Sequence, residues 1–540
     1  MPDSLPPPSA FGLPDRFDKW RQHQDIAIER AFGSTKRFIA IVAPTGYGKS
    51  IVAMTLMKMS SPERSVYLTS TKALQSQLME DFEQSGLVQV KGKGDDKYIC
   101  RVLADNGATG TWAKCSQAEW LCKSCEFRGG GCSYYDAMSE FRRSELGVTN
   151  YAKRLSHALA GGDPGEGLGP IDLLICDEAH DAHSQICGAM RAEISRADLL
   201  ELSGRPLLSS GTPIEVWSKW AGGLLSVLRP RFELLKGLSA RDNGRLRSDQ
   251  QTELRKLTKL VAAMELLSGA ADDWCEDRGD KPGDVAFEPK WARKYAGALW
   301  GSAARIVLMS ATLTRKELEL LGLGPDDYEW LEFPSSFPVS RRPVIQIPTV
   351  QMKGPMSDAQ MRQTLQRVDQ IIDKRLDRKG IIHTVSYERA KWIVERSRHK
   401  DLMLINETRN TREIVEQFKD SAAPRILVTP SVTTGYDFPG EDCEFQIIIK
   451  VPFLNRHASP VVAARCAEDR DFDNFSAMKQ LVQMAGRGMR FAEDQCETFV
   501  TDDQFKWFWN TNRKFAPGWF IAACRNDGSI PAPPRKLSIA

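Results

Sequence analysis

An apolar run that ends in a glycine-bearing turn, followed at once by a lysine and a hydroxyl, constrains this chain more than any other feature. RFIAIVA ends at Ala43, and APTGYGKS runs from Ala43 to Ser50. The pattern asks for a strand, a tight turn and a helix, in that order. Glycines let backbone N–H groups wrap phosphate oxygens, and the helix start adds a favourable dipole. Thr45, Gly46, Gly48, Lys49 and Ser50 are therefore the nucleotide-binding candidates. Lys49 would bridge the β- and γ-phosphates of ATP, and the Ser50 hydroxyl would bind Mg2+. Ala43 stands where the usual pattern has glycine. The bland alternative is a chance GKS in a loop, and the strand before and helix after argue against it.

A strand–turn–helix unit of this kind belongs in a parallel sheet. SVYLTS and then the helical TKALQSQLMEDF continue the alternation, which predicts an α/β fold with helices covering the sheet. From Lys91 to Gly131 the period is lost in a stretch rich in Gly, Cys and charge. From about Gly188 to Glu288, helical patterns such as TELRKLTKLVAAMELL dominate. After Pro334 a second α/β pattern begins, with GIIHTV, RILVTP and FQIIIKVPF as strands.

A chain of 540 residues is too long for one core, so at least two domains are expected. The net charge of +3 does not by itself point to nucleic acid. No apolar run is long enough to span a bilayer, and MPDSLPPPSAFGLPDRF lacks the basic start and apolar stretch of a signal peptide. The expectation is a Pro-rich leader on a cytoplasmic protein with reduced thiols and no membrane partner. Five of the 12 cysteines, Cys100, Cys115, Cys122, Cys125 and Cys132, then point to metal binding rather than disulfides.

Three further motifs bear on chemistry. Asp177-Glu178-Ala179-His180 follows the apolar LLIC. There Asp177 would reach the Mg2+ held by Ser50, and Glu178 would polarise the attacking water as general base. Alone, the same residues could be a solvated turn. Ser310-Ala311-Thr312 follows RIVLM, where short hydroxyls could relay the γ-phosphate state or merely cap a helix. Gln483-Met484-Ala485-Gly486-Arg487-Gly488-Met489-Arg490 sets two arginines three residues apart. On a helix that spacing puts Arg487 and Arg490 on one face, suited to charge developing on a γ-phosphate. A basic surface helix is the alternative. Together the motifs predict ATP sandwiched between two lobes, with catalysis by Lys49, Asp177, Glu178, Gln483, Arg487 and Arg490.

The order of phosphate loop, DEAH, SAT and Q-x-x-G-R-x-x-R resembles that of superfamily 2 helicases, and finer detail resembles the XPD/DinG branch. Arg21-Gln22-His23-Gln24 looks like its R-x-x-Q, GVTNY its V-x-T-N-Y, and Phe333-Pro334-Ser335-Ser336-Phe337 its S-P-F segment. Thr434-Gly435-Tyr436-Asp437-Phe438-Pro439-Gly440 is similar to E-G-x-D-F-P-G, with Thr434 in place of Glu. Asp502-Asp503-Gln504-Phe505 is similar to D-x-R-F, with Gln504 in place of Arg. The resemblance adds Gln24 and Asp437 to the nucleotide site.

It also implies two RecA-like P-loop lobes with a Cys-rich metal-cluster insertion and a mostly helical arch-like insertion. The expected boundaries are 1–94, 134–187 and 289–332 for the first lobe, 95–133 for the cluster insertion, 188–288 for the arch and 333–540 for the second lobe. KYICRVL and Gly131-Cys132-Ser133-Tyr134-Tyr135 resemble the two ends of the family's 4Fe–4S segment and nominate Cys100 and Cys132; two of Cys115, Cys122 and Cys125 would complete four ligands. Cys122-x-x-Cys125 is also a zinc spacing, and zinc or no metal are the alternatives. The implied activity is a 5′→3′ DNA helicase acting as a monomer on single-stranded DNA and forked duplex, with bases stacking on aromatics such as those of FKWFW. A translocase that does not separate strands and a non-catalytic binding module are the rival readings. The compact length suits a phage- or plasmid-borne relative, including DinG-like helicases attached to CRISPR systems. RNA–DNA hybrids, R-loops and a CRISPR guide complex then join the expected partners.

Overall fold

A computed structural model describes residues 5–535, apart from 106, 118, 123–124, 160–166, 242–245, 353, 355, 407–409, 431–435, 437 and 492. Asp437 and Thr434 thus lie outside the described residues.

The run before the phosphate loop is the strand Phe38–Val42, buried at every position. Its odd and even residues pack into different cores: Phe38, Ala40 and Val42 on one face of the sheet, Ile39 and Ile41 on the other. An apolar run with no polar alternation is what a parallel strand covered by helices on both sides requires. The sheet runs in the order Tyr328–Glu332, Phe38–Val42, Arg305–Ser310, Leu173–Asp177, Ser65–Thr69, Leu146–Asn150, Val88–Gln89, and every pairing is parallel. The strands ending in the phosphate loop, the SAT segment and DEAH are consecutive neighbours, so all three motifs emerge at the same sheet edge.

A second parallel sheet follows, in the order Met403–Ile405, Arg425–Thr429, Lys379–His383, Phe445–Ile448, Glu497–Asp502, Val344–Val350, Cys524–Asn526. GIIHTV, RILVTP and FQIIIKVPF each supply one of its strands. The two lobes are therefore both α/β with parallel sheets.

Between the DEAH and SAT strands, two long helices, Ile214–Arg241 and Ser248–Ser268, pack through Trp217, Ala221, Leu224, Leu228 and Leu235 against Leu254, Leu257, Val261, Met264 and Leu267. A three-stranded antiparallel sheet of Ala192–Ile194, Val285–Pro289 and Trp274–Arg278 stands at their base, a feature that the helical periodicity did not signal. Arg465 of the second lobe grips this base, donating to Glu288 Oε1 at 2.9 Å and to the carbonyls of Pro289 and Lys290 at 3.0 and 2.6 Å.

The cysteine-rich stretch folds as short 3-10 turns. An antiparallel bridge between Ile99 and Lys114 sets Cys100 opposite Ala113 and Cys115 opposite Tyr98. Trp120 reaches out to donate to Ser239 on the long helix at 2.9 Å. Among the described residues, no helix is long and apolar enough to cross a membrane.

Candidate nucleotide site between the lobes

The phosphate loop turns on two glycines in the left-handed region, Gly46 at φ 75° and Gly48 at φ 85°, a conformation that costs other residues about 1 kcal/mol or more. Space enforces the choice as well. A Cβ on Gly46 would lie 2.4 Å from the Phe337 ring, and one on Gly48 would lie 2.4 Å from Gln24 Nε2. The helix Lys49–Met59 starts directly after the loop. Lys49 Nζ lies over the loop, donating to the carbonyls of Ala43 and Pro44 at 3.3 and 3.5 Å. Thr45 Oγ1 donates across the lobes to the Gly486 carbonyl at 3.4 Å.

Gln24 is fully buried beneath the loop. Its Nε2 donates to the Tyr47 carbonyl at 2.7 Å and towards that of Gly48 at 3.4 Å, while its Oε1 accepts from Arg21 N at 2.9 Å. Both amide hydrogens thus go to the loop's own backbone, and Arg21 Nη1 adds a bond to the Gly46 carbonyl at 2.7 Å. In this arrangement Gln24 is a strut of the phosphate loop.

Asp177 closes its strand with both carboxylate oxygens engaged. Oδ1 accepts from Glu178 N at 2.9 Å and Oδ2 from the Tyr67 hydroxyl at 2.8 Å. Burial, and then the neighbouring Glu178, push the Asp177 carboxyl up to about 6, against the pull of Lys49. Ser50 and Asp177 are hard oxygen donors of the kind Mg2+ takes.

Glu178 sits at φ 48°, a strained position for a non-glycine residue that turns its side chain over the sheet edge. Burial pushes its carboxyl up, but His180, Lys49 and Arg490 outweigh burial and hold it well below the usual range. His180 is the hub. Nδ1 lies 2.6 Å from Ser310 Oγ and 3.2 Å from Glu178 Oε2; Nε2 lies 3.3 Å from Asp181 Oδ1 and 2.6 Å from the Gln483 amide. Burial opposes its charge, yet Asp181 and Glu178 push the imidazole up to about 9. A side-chain amide offers oxygen on one side and NH2 on the other, so Gln483 can serve either protonation state by turning over. Ser310 completes the chain by donating to Glu178 Oε2 at 3.2 Å and accepting from Thr312 N at 3.1 Å. Glu178, His180 and the SAT segment of one lobe are thereby wired to Gln483 of the other.

The arginines depart from their expected setting. The helix Phe472–Ala485 ends before them, and Gly486 is its C-cap. Arg487 and Arg490 lie on the following turn rather than on a helical face. Gly488 explains why the turn is tight: a Cβ there would stand 2.5 Å from Cys496 Sγ and 2.8 Å from the Cys443 carbonyl. Asp494 fixes the turn, accepting from Arg490 N at 2.5 Å, Phe491 N at 2.7 Å and Gly440 N at 3.0 Å. Arg487 Nη1 donates to the Tyr436 carbonyl at 3.0 Å.

Thr45, Glu178, His180, Thr312, Gln483, Arg487 and Arg490 all line one interlobe cavity of about 300 Å3. Trp519, which no motif signalled, also lines it and donates to the Ala311 carbonyl at 2.9 Å, tying the second lobe to the SAT segment. Tyr67 was likewise missed; the one signal was a phenol between the apolar Val66 and Leu68.

The five cysteines lie apart from this site. Cys115 and Cys132 act on one another's titration, which together with burial pushes Cys115 up and, against burial, holds Cys132 down to about 6. Cys100 and Cys122 are near enough to Cys115 to be felt electrostatically, as is Cys125 by Cys100. As folded, they do not make a ligand set: among the described residues no group of three or more His, Cys, Asp or Glu is placed to hold a metal ion.

Two family models match the chain. One, described as a helicase C-terminal domain, covers residues 361–520; the other, the res subunit of type III restriction enzymes, covers residues 17–207. No curated protein matches the sequence. Among solved structures, an XPD helicase is similar over 94% of this chain and 100% of its own, with a TM-score of 0.60 at 16% identity. An apo XPD structure gives 0.59 at 15% identity, and Xpd4 of S. tokodaii gives 0.55 at 13%, each over 94% of this chain and 100% of that one. The chain thus carries a helicase C-terminal domain in its second lobe and has the fold of the XPD structures, and its helicase domains support ATP-dependent helicase activity.

Proposed function

We propose that the chain is a 5′→3′ DNA helicase that translocates on single-stranded DNA and opens forked duplex, hydrolysing ATP between its lobes. The observation that carries the ATP chemistry is the single cavity lined by Thr45 and Glu178 from one lobe and Gln483, Arg487 and Arg490 from the other. Such a cavity is complete only when the lobes are together, so nucleotide state and lobe closure are linked.

In this reading the loop from Thr45 to Ser50 wraps the phosphates with backbone N–H groups. Lys49 leaves its carbonyl partners for the β- and γ-phosphates. Ser50 and Asp177 would hold Mg2+, which supplies charge neutralisation on the phosphate oxygens. Glu178, ionised because His180 and Lys49 favour its charged form, orients and polarises the attacking water. Arg487 and Arg490 stabilise charge on the γ-phosphoryl oxygens as they leave. Loss of the γ-phosphate is felt by Ser310, His180 and Gln483 together, which gives the second lobe its cue to move.

DNA as track and the 5′→3′ direction rest on the resemblance to the XPD/DinG branch. Unwinding of 5′-tailed DNA, 3′-tailed DNA and 5′-tailed RNA–DNA hybrid in parallel tests them. Release from the 5′-tailed substrates alone is expected, and release from the 3′-tailed one alone would reverse the direction. DNA-stimulated hydrolysis with no strand release would make the chain a translocase. A 4Fe–4S cluster in the cysteine-rich segment also rests on the resemblance, and no step above runs through it. Iron, labile sulfide and zinc content of protein purified without oxygen decides between cluster, zinc and neither.

A further inference from the structure

We infer that Tyr67 is a positioning residue for magnesium, its hydroxyl holding the Asp177 carboxylate in place for the ion. The inference rests on the nucleotide-site reading above and assigns a role to a residue outside every motif.

Tyr67 lies on the strand Ser65–Thr69, 1% exposed, with its ring in the core beside Ile41, Ile175 and Met309. A phenol placed there needs a hydrogen-bond partner, since an unpaired buried hydroxyl costs about 1–3 kcal/mol. Leucine or valine would fill the strand without that demand. The hydroxyl instead reaches the sheet edge, where it donates to Asp177 Oδ2 at 2.8 Å.

Counting hydrogens fixes the roles. The phenol has one hydrogen, and an ionised Asp177 can only accept, so that hydrogen goes to Asp177. On Asp177, Tyr67 fixes Oδ2 while Glu178 N fixes Oδ1 at 2.9 Å. This proposed ligand is oriented before the ion arrives, and outer partners of metal ligands typically change metal affinity by about 10–100-fold.

Tyr67→Phe keeps the ring and removes the hydroxyl. Two readouts are expected to move: the Mg2+ concentration for half-maximal ATP hydrolysis, up by about tenfold or more, and the gain in affinity for a non-hydrolysable ATP analogue that Mg2+ provides in calorimetry, down by a similar factor. Binding of the analogue in EDTA should not change. A variant with unaltered Mg2+ dependence in both assays, even one of lower melting temperature, would reduce Tyr67 to packing and overturn the inference. If Tyr67→Phe does not fold, 4-fluorophenylalanine at position 67 keeps the ring and fills the space of the hydroxyl but has no hydrogen to donate; the same shift is expected, and none would again overturn it. Wild-type protein that binds no analogue even with Mg2+ would instead sink the nucleotide-site reading itself.

Discussion

At the scale of single residues, the site turns on which groups carry charge. Lys49 and Glu178 have separable tasks, holding phosphate and polarising water. Lys49→Ala is expected to abolish hydrolysis while single-stranded DNA binding, measured by fluorescence anisotropy, survives. Glu178→Gln should retain nucleotide binding and lower kcat by about 10²–10⁴-fold in single-turnover assays. His383 offers a test away from the chemistry. It is buried, it contacts Gln446 Oε1 at 3.0 Å, and burial, with Arg487 adding to it, lowers its pKa to about 4. The unfolded chain takes up its proton near pH 6.5, so His383 confers full stability above that value and progressively less as pH falls towards 4. Between pH 7.5 and 5 it should account for a loss of about 2 kcal/mol in denaturant unfolding, and His383→Gln should flatten that slope. The residues that carry charge chemistry were legible in the sequence because each sits in a fixed spacing. Tyr67, His180 as a hub and Trp519 were not, since what they do depends on neighbours far away in the chain.

Elements set where those charges go. The strands before Ala43, Asp177 and Ser310 could be read from uninterrupted apolar runs, and their adjacency brings the three motifs to one edge. The arginine pair was read on a helix because its spacing fits one. Gly486 and Gly488 decide otherwise: the helix stops at Ala485, and the turn packs so closely on Cys496 that only glycine fits at 488. Gly488→Ala is therefore expected to destabilise the chain by about 1–3 kcal/mol and to displace the arginines, lowering both melting temperature and kcat. Adding Cys496→Ala, which clears the space, should recover part of each. Over residues 188–288 the helical period was visible, but the antiparallel sheet at its base was not. Its strands are only three to five residues long and carry charge, as in Trp-Cys-Glu-Asp-Arg from 274 to 278.

Across the whole molecule, two of the sets of contacts that join the second lobe to the rest bear on turnover. One surrounds the nucleotide site, through Thr45, Gln483 and Trp519. The other is the Arg465 clamp on Glu288 at the base of the long helices, where Arg191 also pairs with Glu288 at 3.3 Å. A movement of the second lobe during turnover must therefore pull on the helical insertion. Arg465→Ala leaves a buried carboxylate with one partner fewer and should cost about 3 kcal/mol in urea unfolding. It should also reduce strand opening more than ATP hydrolysis, which a combined unwinding and phosphate-release assay would reveal.

The central claim is that one interlobe cavity hydrolyses ATP using groups from both lobes. Steady-state ATP hydrolysis with and without single-stranded DNA, for wild type and Arg490→Ala side by side, tests it most directly. The account predicts stimulation by DNA in the wild type and loss of that stimulated rate in Arg490→Ala with ATP binding retained. Equal hydrolysis by the two proteins, with or without DNA, would contradict it.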